Sequence, residues 1–234
     1  MIDNDLMFLA KCENEDLRSL ADILVYDPES HSQRMTEGLS LTENYQKNYP
    51  DNMKEVIPQI VQELQLFGGN SVLNFFRGHG VQYREILCDV CNKLKVNFNE
   101  KSSVERIEEQ LLIKVLEDSV EDMTKEQIQD IGGDLGLKNK DMLKHAIVVG
   151  SPIYYRLVIA IVQGLIRRYG LALTGRVLSV RMLSVLAGPV GLVATSIWTL
   201  MDIAGAAYRV TIPCVILIAY MRATYSKPIA LLTM

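Results

Sequence analysis

Two neighbouring apolar stretches decide the fold of this chain. Residues 182–201 read MLSVLAGPVGLVATSIWTLM and carry no charged side chain, and residues 203–221 read IAGAAYRVTIPCVILIAYM, with Arg209 as the only charge. At about 1.5 Å per residue, each stretch can form a helix of about 30 Å. A helix that is apolar on every side has to be covered by protein or by lipid. The architecture therefore depends on what covers these two stretches.

The charges of the chain divide along the same line. Residues 146–234 carry a net charge of +7, whereas residues 1–145 carry −11, so the total of −4 hides an acidic part joined to a basic, apolar part. The only acid after residue 145 is Asp202, and the bases there are Arg156, Arg167, Arg168, Arg176, Arg181, Arg209, Arg222 and Lys227. The acidic N-terminal part argues against nucleic acid as a partner.

Size and composition indicate a globular cytoplasmic protein. The 234 residues are enough to bury a core, and 49% hydrophobic with 22% charged residues excludes a disordered chain. The four cysteines form no disulfide framework, and the first residues lack the basic region and apolar run of a signal peptide. No phosphate-binding loop, nucleophile elbow or metalloprotease motif occurs. We therefore predict a non-enzymatic cytoplasmic protein without cofactor or metal, able to lie peripheral to the inner membrane.

Apolar residues recur at helical spacing, and no segment has the pattern of a strand. The residues predicted to face inward are Leu6 and Leu9; Leu17, Leu20 and Leu24; Ile57, Ile60, Val61 and Leu64; Tyr83, Ile86, Leu87, Val90 and Leu94; and Ile107, Leu111, Val115 and Leu116. They predict an all-α multi-helix bundle with a short N-terminal helical unit and a hydrophobic C-terminal helical hairpin.

Capping residues and breaks give the predicted boundaries. Ser102 with Glu105 and Thr124 with Gln127 have the spacing of capping boxes, which open helices. Pro58 fits the first turn of a helix, where its missing N–H does little harm. The predicted parts are a short N-terminal helical unit (1–28), a connector (29–51), an acidic helical region (52–145) and a basic hydrophobic helical region packed on it (146–234).

Residues 182–221 allow three interpretations. They can cross a membrane as a hairpin, with Arg181 and Arg222 as basic flanks in the cytoplasm. They can form a core hairpin wrapped by the rest of the chain. They can also dock on an anionic membrane surface or on a client helix. In lipid, Asp202 and Arg209 would each cost roughly 2.5–3.5 kcal/mol, but a buried polar cluster could hold both, because seven residues put them on one helix face.

A glycine-rich loop is the main candidate for a ligand site. Its residues are Arg77, Gly78, His79 and Gly80. Such a loop before a helix can present backbone N–H groups to an anion, with the arginine as counter-charge, and it fits equally a tight link between helices that needs positive φ. His79 has no nucleophile or carboxylate at a recognisable spacing. An enzyme or small-ligand site that combines this loop with the Asp202/Arg209 pair is the alternative function.

Cys88 and Cys91 lie one helical turn apart within a predicted helix. A structural zinc site needs four ligands, and only scattered residues such as Cys12 or His145 could complete this pair. A redox pair belongs at a helix start in a βαβ unit, which the chain lacks. We therefore predict two small buried apolar side chains.

Residues 104–126 are predicted to form an acidic helix. Its acids are Glu105, Glu108, Glu109, Glu117, Asp118, Glu121, Asp122 and Glu126. They can form a solvated face, or they can meet a basic partner, including the arginine-rich part of the same chain.

Three stretches together resemble a known family. They are DNDLMFLAKCENEDLRSLADIL (residues 3–24), ELQLFGGNSVLNFFRGHGVQYREILCDVCNKLKV (63–96), and GPVG (188–191) followed by AYRVTIPCVILIAYMR (207–222). In this order they resemble the YaaW family of uncharacterised bacterial proteins. The resemblance implies a short N-terminal helical unit followed by a larger helical domain. It also implies a loose relation to a chaperone for ubiquinol–cytochrome c reductase assembly, and it supplies no catalytic or binding residues.

These observations predict a helical interaction protein that is assembly-factor-like or chaperone-like. Its C-terminal helices would contact an unknown hydrophobic protein client or the anionic surface of the inner membrane, with the arginines on the anionic groups and the small residues setting close helix contacts. The predicted interaction residues are Arg167, Arg168, Arg176, Arg181, Gly188, Pro189, Gly191, Asp202 and Arg209.

Overall fold

The computed structural model describes residues 3–68, 80–169 and 207–225, together with Thr199 and Gly205. Over these residues the regular structure is helical, and the one β-type pairing is an isolated antiparallel bridge between Tyr26 and Gln33. The α-helices are α1 (Asn14–Val25), α2 (Glu43–Asn48), α3 (Ile57–Gly68), α4 (Tyr83–Lys93), α5 (Val104–Glu121), α6 (Lys125–Gly132), α7 (Lys140–His145), α8 (Pro152–Arg168) and α9 (Tyr208–Tyr225). Short 3₁₀ helices cover Asn4–Lys11, Leu39–Leu41, Met53–Val56 and Gly133–Leu135. The predicted all-α bundle is confirmed.

Helix α9 lies at the centre of the bundle. Every residue from 210 to 222 is buried, and the helix contacts α1, α3, α4, α5, α8 and the N-terminal 3₁₀ helix. A helix that is apolar on all sides has to be covered by protein or by lipid, and here the surrounding helices cover it. The core interpretation therefore holds for this part of the second apolar stretch. Nearly all of residues 182–206, which include the first arm of the predicted hairpin, lie outside the described residues.

The predicted inward-facing stripes are confirmed. Each of these residues is buried, except for Ile57 and Val61, which are partly buried and pack against the core. Pro58 lies in the first turn of α3, as its missing N–H requires. Among the helices of the described ranges, none is both long enough and apolar enough to cross a membrane.

The acidic helix is shorter than predicted. Helix α5 ends at Glu121, and Thr124 begins α6. The Thr124 hydroxyl accepts from the Gln127 N–H at 3.3 Å, while the Gln127 side chain accepts from the Thr124 N–H at 2.7 Å. This capping box is confirmed, and it explains the break, because a capping residue has extended backbone and cannot continue a helix.

The other predicted capping box is wrong by one residue. Helix α5 begins after Ser103, whose hydroxyl accepts from the Arg106 N–H at 3.3 Å. Ser102 donates its own N–H to the Asn99 carbonyl oxygen instead. The third residue of α5 is an arginine, which cannot complete a capping box, so Ser103 caps the helix alone.

One hydrophobic core runs through the described molecule. It includes Leu6 from the first 3₁₀ helix, Leu39 and Tyr45 from the predicted connector, and Met221 near the end of α9. The four-part division of the chain stays a prediction, but its parts share this core.

Candidate functional site

Most of the predicted site residues lie outside the described part of the chain. The structure includes Gly80 and Arg209, and it places Arg167 and Arg168 in the last turn of α8 by their backbone only. The residues outside are Arg77, Gly78, His79, Arg176, Arg181, Gly188, Pro189, Gly191 and Asp202. The proposed meeting of His79 with the Asp202/Arg209 pair therefore stays a prediction.

Gly80 and Arg209 make packing and hydrogen-bond contacts with neighbouring helices. A Cβ on Gly80 would lie 2.6 Å from the Gln65 Cβ and 2.8 Å from its carbonyl carbon, so this glycine allows close approach to α3. Arg209 lies in the first turn of α9, half-buried, and its carbonyl oxygen accepts from the Tyr169 hydroxyl at 3.3 Å. Neither position shows a catalytic arrangement with described residues.

The cysteine pair lies within α4. Cys91 is buried and Cys88 is half-buried, and both are free thiols. Burial is the main cause that raises the pKa of Cys91 to about 12, so its thiol is protonated and unreactive at neutral pH. Over the described ranges, no three His, Cys, Asp or Glu side chains are grouped as metal ligands would be.

A buried polar cluster joins the end of α9 to three other elements. We call Arg222, Glu108, Tyr83, Asp5 and Phe8 the Arg222 cluster. Arg222 donates from Nε to the Glu108 carboxylate at 2.6 Å and from Nη2 to the Asp5 carbonyl oxygen at 2.5 Å. Tyr83 donates its hydroxyl to the other Glu108 oxygen at 2.7 Å. The guanidinium also lies over the Phe8 ring, 4.1 Å from its centroid.

Burial dominates the electrostatics of this cluster. It raises the pKa of Glu108 to about 7, against the opposing effects of the Arg222 charge and of the hydrogen bonds from Arg222 and Tyr83. Burial also raises the pKa of Tyr83 well above its usual range, so this phenol remains a donor. Because the low-dielectric interior penalises any unpaired charge, the arginine and the glutamate depend on each other.

The cluster corrects two expectations from the sequence. Arg222, expected as a flanking charge of a membrane hairpin, is 7% exposed and lies in the core. Glu108, counted among the acids of an acidic helix, is 2% exposed. A signal for Glu108 was present, because it sits between Ile107 and Leu111 on the apolar face of α5. The interpretation that the acidic helix meets an arginine of the same chain is therefore correct at Glu108 and at Glu105, whose carboxylate lies 3.8 Å from Nη1 of Arg222.

A second contact ties the N-terminal unit to the same end of α9. Tyr225 donates its hydroxyl to the Asp16 carboxylate at 2.5 Å and accepts from the Glu13 N–H at 3.3 Å. Nearby, the Asp3 carboxylate accepts from the Tyr83 N–H at 2.7 Å, which holds the start of α4 against the first residues. Hydrogen bonds between buried and half-buried groups thus join the N-terminal unit to the end of α9 and to the start of α4.

By its structure, this chain is an all-α protein. A short N-terminal unit and a larger helical part together enclose one apolar helix. A family model described as "Ubiquinol-cytochrome C chaperone" matches residues 55–219, and one described as "Domain of unknown function (DUF3944)" matches residues 1–35.

The chain belongs to the UPF0174 (YaaW) family. It is 38% identical to a UPF0174 protein of Helicobacter pylori (strain J99) over 94% of this chain and 91% of that protein. It is 31% identical to the UPF0174 protein YaaW of Escherichia coli (strain K12) over 94% of each. No solved structure matches. The resemblance stated from the sequence is confirmed.

Proposed function

We propose that this protein is a non-enzymatic assembly factor or chaperone-like protein that contacts a hydrophobic client or the inner membrane surface. Helix α9 gives the strongest support. It is apolar on all sides, and it is enclosed by elements of both the N-terminal unit and the chaperone-family part. Residues 182–201 carry no charged side chain, so as a helix they also have to be covered by protein or by lipid.

Charge supports the same proposal. Residues 146–234 carry +7, and four of their bases, Arg167, Arg168, Arg176 and Arg181, directly precede the uncharged stretch 182–201. An arginine near an anionic membrane surface contributes about 1 kcal/mol to binding. A run of arginines beside an apolar segment is therefore suited to a client that lies at such a surface.

Cell fractionation with a carbonate wash tests the proposal. We expect the wild-type protein to pellet with membranes and to be released by carbonate. Arg176→Glu combined with Arg181→Glu should move it to the soluble fraction, by roughly 30-fold if each arginine contributes about 1 kcal/mol. The matched control is Lys125→Glu with Lys138→Glu, because both lysines are exposed and lie in the acidic part.

Each outcome decides between alternatives. Carbonate-resistant protein contradicts a peripheral contact and favours a membrane crossing. Wild-type protein that is wholly soluble and co-purifies with a subunit of a membrane complex supports a client, provided that the arginine double variant loses that subunit. Soluble protein whose partners are the same in all variants contradicts the proposal.

A further inference from the structure

Arg34 is buried at the junction between the N-terminal unit and the start of α9. Its backbone N–H donates to the Val25 carbonyl oxygen at 2.8 Å, next to the Tyr26–Gln33 bridge. Its side chain is only 11% exposed. The guanidinium lies within hydrogen-bonding range of the Tyr169 hydroxyl and within electrostatic range of Cys214 on α9. A permanently charged group thus lies where two parts of the fold meet.

One edge of this guanidinium has an acceptor and another edge has none. Nη1 lies 3.4 Å from the Asp27 carboxylate. The other oxygen of that carboxylate is taken by the N–H groups of Glu29 and Ser30 and by the Ser30 hydroxyl. Within the described residues, neither Nε nor Nη2 of Arg34 has a hydrogen-bond partner. These two nitrogens form the fork edge whose parallel N–H groups match a carboxylate or phosphate.

A cavity of about 340 Å³ adjoins Arg34. Its polar wall includes Asp27, Ser30, Ser32 and Thr36, and its apolar wall includes Phe67 and Val210. This volume is at the lower end of the range for small-molecule sites, and a few polar groups beside an apolar wall are typical of them. The two charged lining groups are Arg34 and Asp27. The Asp27 carboxylate is already met by Nη1 of Arg34 and by the N–H groups of Glu29 and Ser30. The cavity therefore fits a small molecule with one polar end.

We propose that this cavity binds a small organic carboxylate. Its carboxylate accepts from Nε and Nη2 of Arg34, and its short apolar body lies against Phe67 and Val210. In this structure neither nitrogen faces the cavity, because both lack accessible surface. The proposed binding therefore requires the guanidinium to turn about its last side-chain bonds. The driving force is the unmet hydrogen bonding of a buried charged donor pair. The site is independent of the contact proposed for residues 167–201.

Hexanoate is the probe, and hexanamide is the neutral control of the same size. In isothermal titration and thermal denaturation at constant ionic strength, hexanoate should bind saturably to the full chain and raise its Tm, and hexanamide should not. Arg34→Met should weaken hexanoate binding by about tenfold or more, the usual effect of losing charged hydrogen bonds. Arg34→Lys should also weaken binding, because lysine keeps the charge but lacks the fork.

Two further variants act as controls. Arg106→Met removes an exposed arginine and should leave the affinity unchanged, whereas Asp27→Asn frees Nη1 and should keep or tighten binding. Far-UV circular dichroism checks that each variant folds. If Arg34→Met does not fold, the affinity of Arg34→Lys and the difference between hexanoate and hexanamide test the proposed site. Equal behaviour of hexanoate and hexanamide, or unchanged affinity in both Arg34 variants, would overturn the proposal. Equal stabilisation by phosphate and hexanoate would show that the site takes any oxyanion and would overturn the role of the apolar wall.

Discussion

Arg222 and Arg34 are buried to nearly the same degree and differ in what fills their hydrogen-bonding edges. Their side chains are 9% and 11% exposed. In Arg222, Nε and Nη2 donate to the Glu108 carboxylate and to the Asp5 carbonyl oxygen. In Arg34, the same two nitrogens have no partner among the described residues. The difference separates an arginine whose two-nitrogen edge is filled within the fold from one whose same edge is not.

This comparison also distinguishes the two ends of α9. At the Arg222 end, residues of three other elements fill the hydrogen-bonding edges of the arginine and pack against it. At the Val210 end, a cavity remains beside an incompletely paired arginine. Since an unpaired buried charge destabilises a fold and a well-paired one is hard to remove, the two ends should respond differently to the same substitution.

The largest expected effect comes from removing the paired arginine. Arg222→Met leaves Glu108 buried without its partner and should lower the free energy of unfolding by about 3–5 kcal/mol. Urea denaturation measures this loss. The double variant Glu108→Leu with Arg222→Met removes both charges and should recover at least half of it. A loss below about 1 kcal/mol in the single variant contradicts the role of the pair.

The next effect is a pH dependence from Glu108. Its folded pKa of about 7 lies above the usual value of 4.5, so the folded state holds this proton more tightly than the unfolded chain does. The resulting stabilisation is fully present below pH 4.5 and is lost as pH rises through 7, by on the order of 2 kcal/mol. Urea denaturation at pH 5 and 7.5 should show this loss in the wild type and in the control Glu117→Gln. In Glu108→Gln the unfolding free energy should fall much less between these two pH values. Equal pH dependence in all three proteins would contradict the assignment of this loss to Glu108.

The sequence predicts the helices well because each stripe is a local pattern. Tyr83, Ile86, Leu87, Val90 and Leu94 recur at helical spacing, and all are buried in or just after α4. The Arg222 cluster could not be predicted in the same way. Its central ion pair joins residues 114 positions apart, and periodicity states which face of a helix a residue occupies, not which distant helix meets that face.

A smaller effect tests the start of the helix that carries Glu108. Ser103→Ala removes the hydroxyl that caps α5 and should destabilise the protein by about 1 kcal/mol, whereas Ser102→Ala should be close to neutral. Chemical denaturation of the two variants compares them directly. A larger loss for Ser102→Ala would restore the capping box predicted from the sequence.

The smallest effect is expected at Arg34 without ligand. Arg34→Met gives up one long contact to Asp27 and the approach to the Tyr169 hydroxyl, but no hydrogen bond from Nε or Nη2. The free energy of unfolding should therefore change by less than about 1 kcal/mol. Urea denaturation of Arg34→Met and Arg222→Met under the same conditions compares the two losses of unfolding free energy. A loss as large as that of Arg222→Met would show that Arg34 is also a structural arginine.

The sequence contains no signal for the Arg34 cavity. Residues 29–51 are polar and read as a connector, and a lone arginine in a connector is usually exposed. Its burial follows from the approach of Tyr169 and of Cys214 on α9, which are distant in sequence. The predicted Arg77–Gly80 loop illustrates the opposite case, a conspicuous local motif of which the structure describes only Gly80.

Native-state hydrogen exchange along α9 tests most directly the claim that both family segments enclose this helix. Amides of residues 210–222, apart from Pro213, should exchange only through global unfolding, with the same free energy as urea denaturation gives, while amides of α6 exchange through smaller openings. Arg222→Met should lower the protection of α9 and the global stability together. Exchange of α9 through a local opening well below the global free energy would contradict the account.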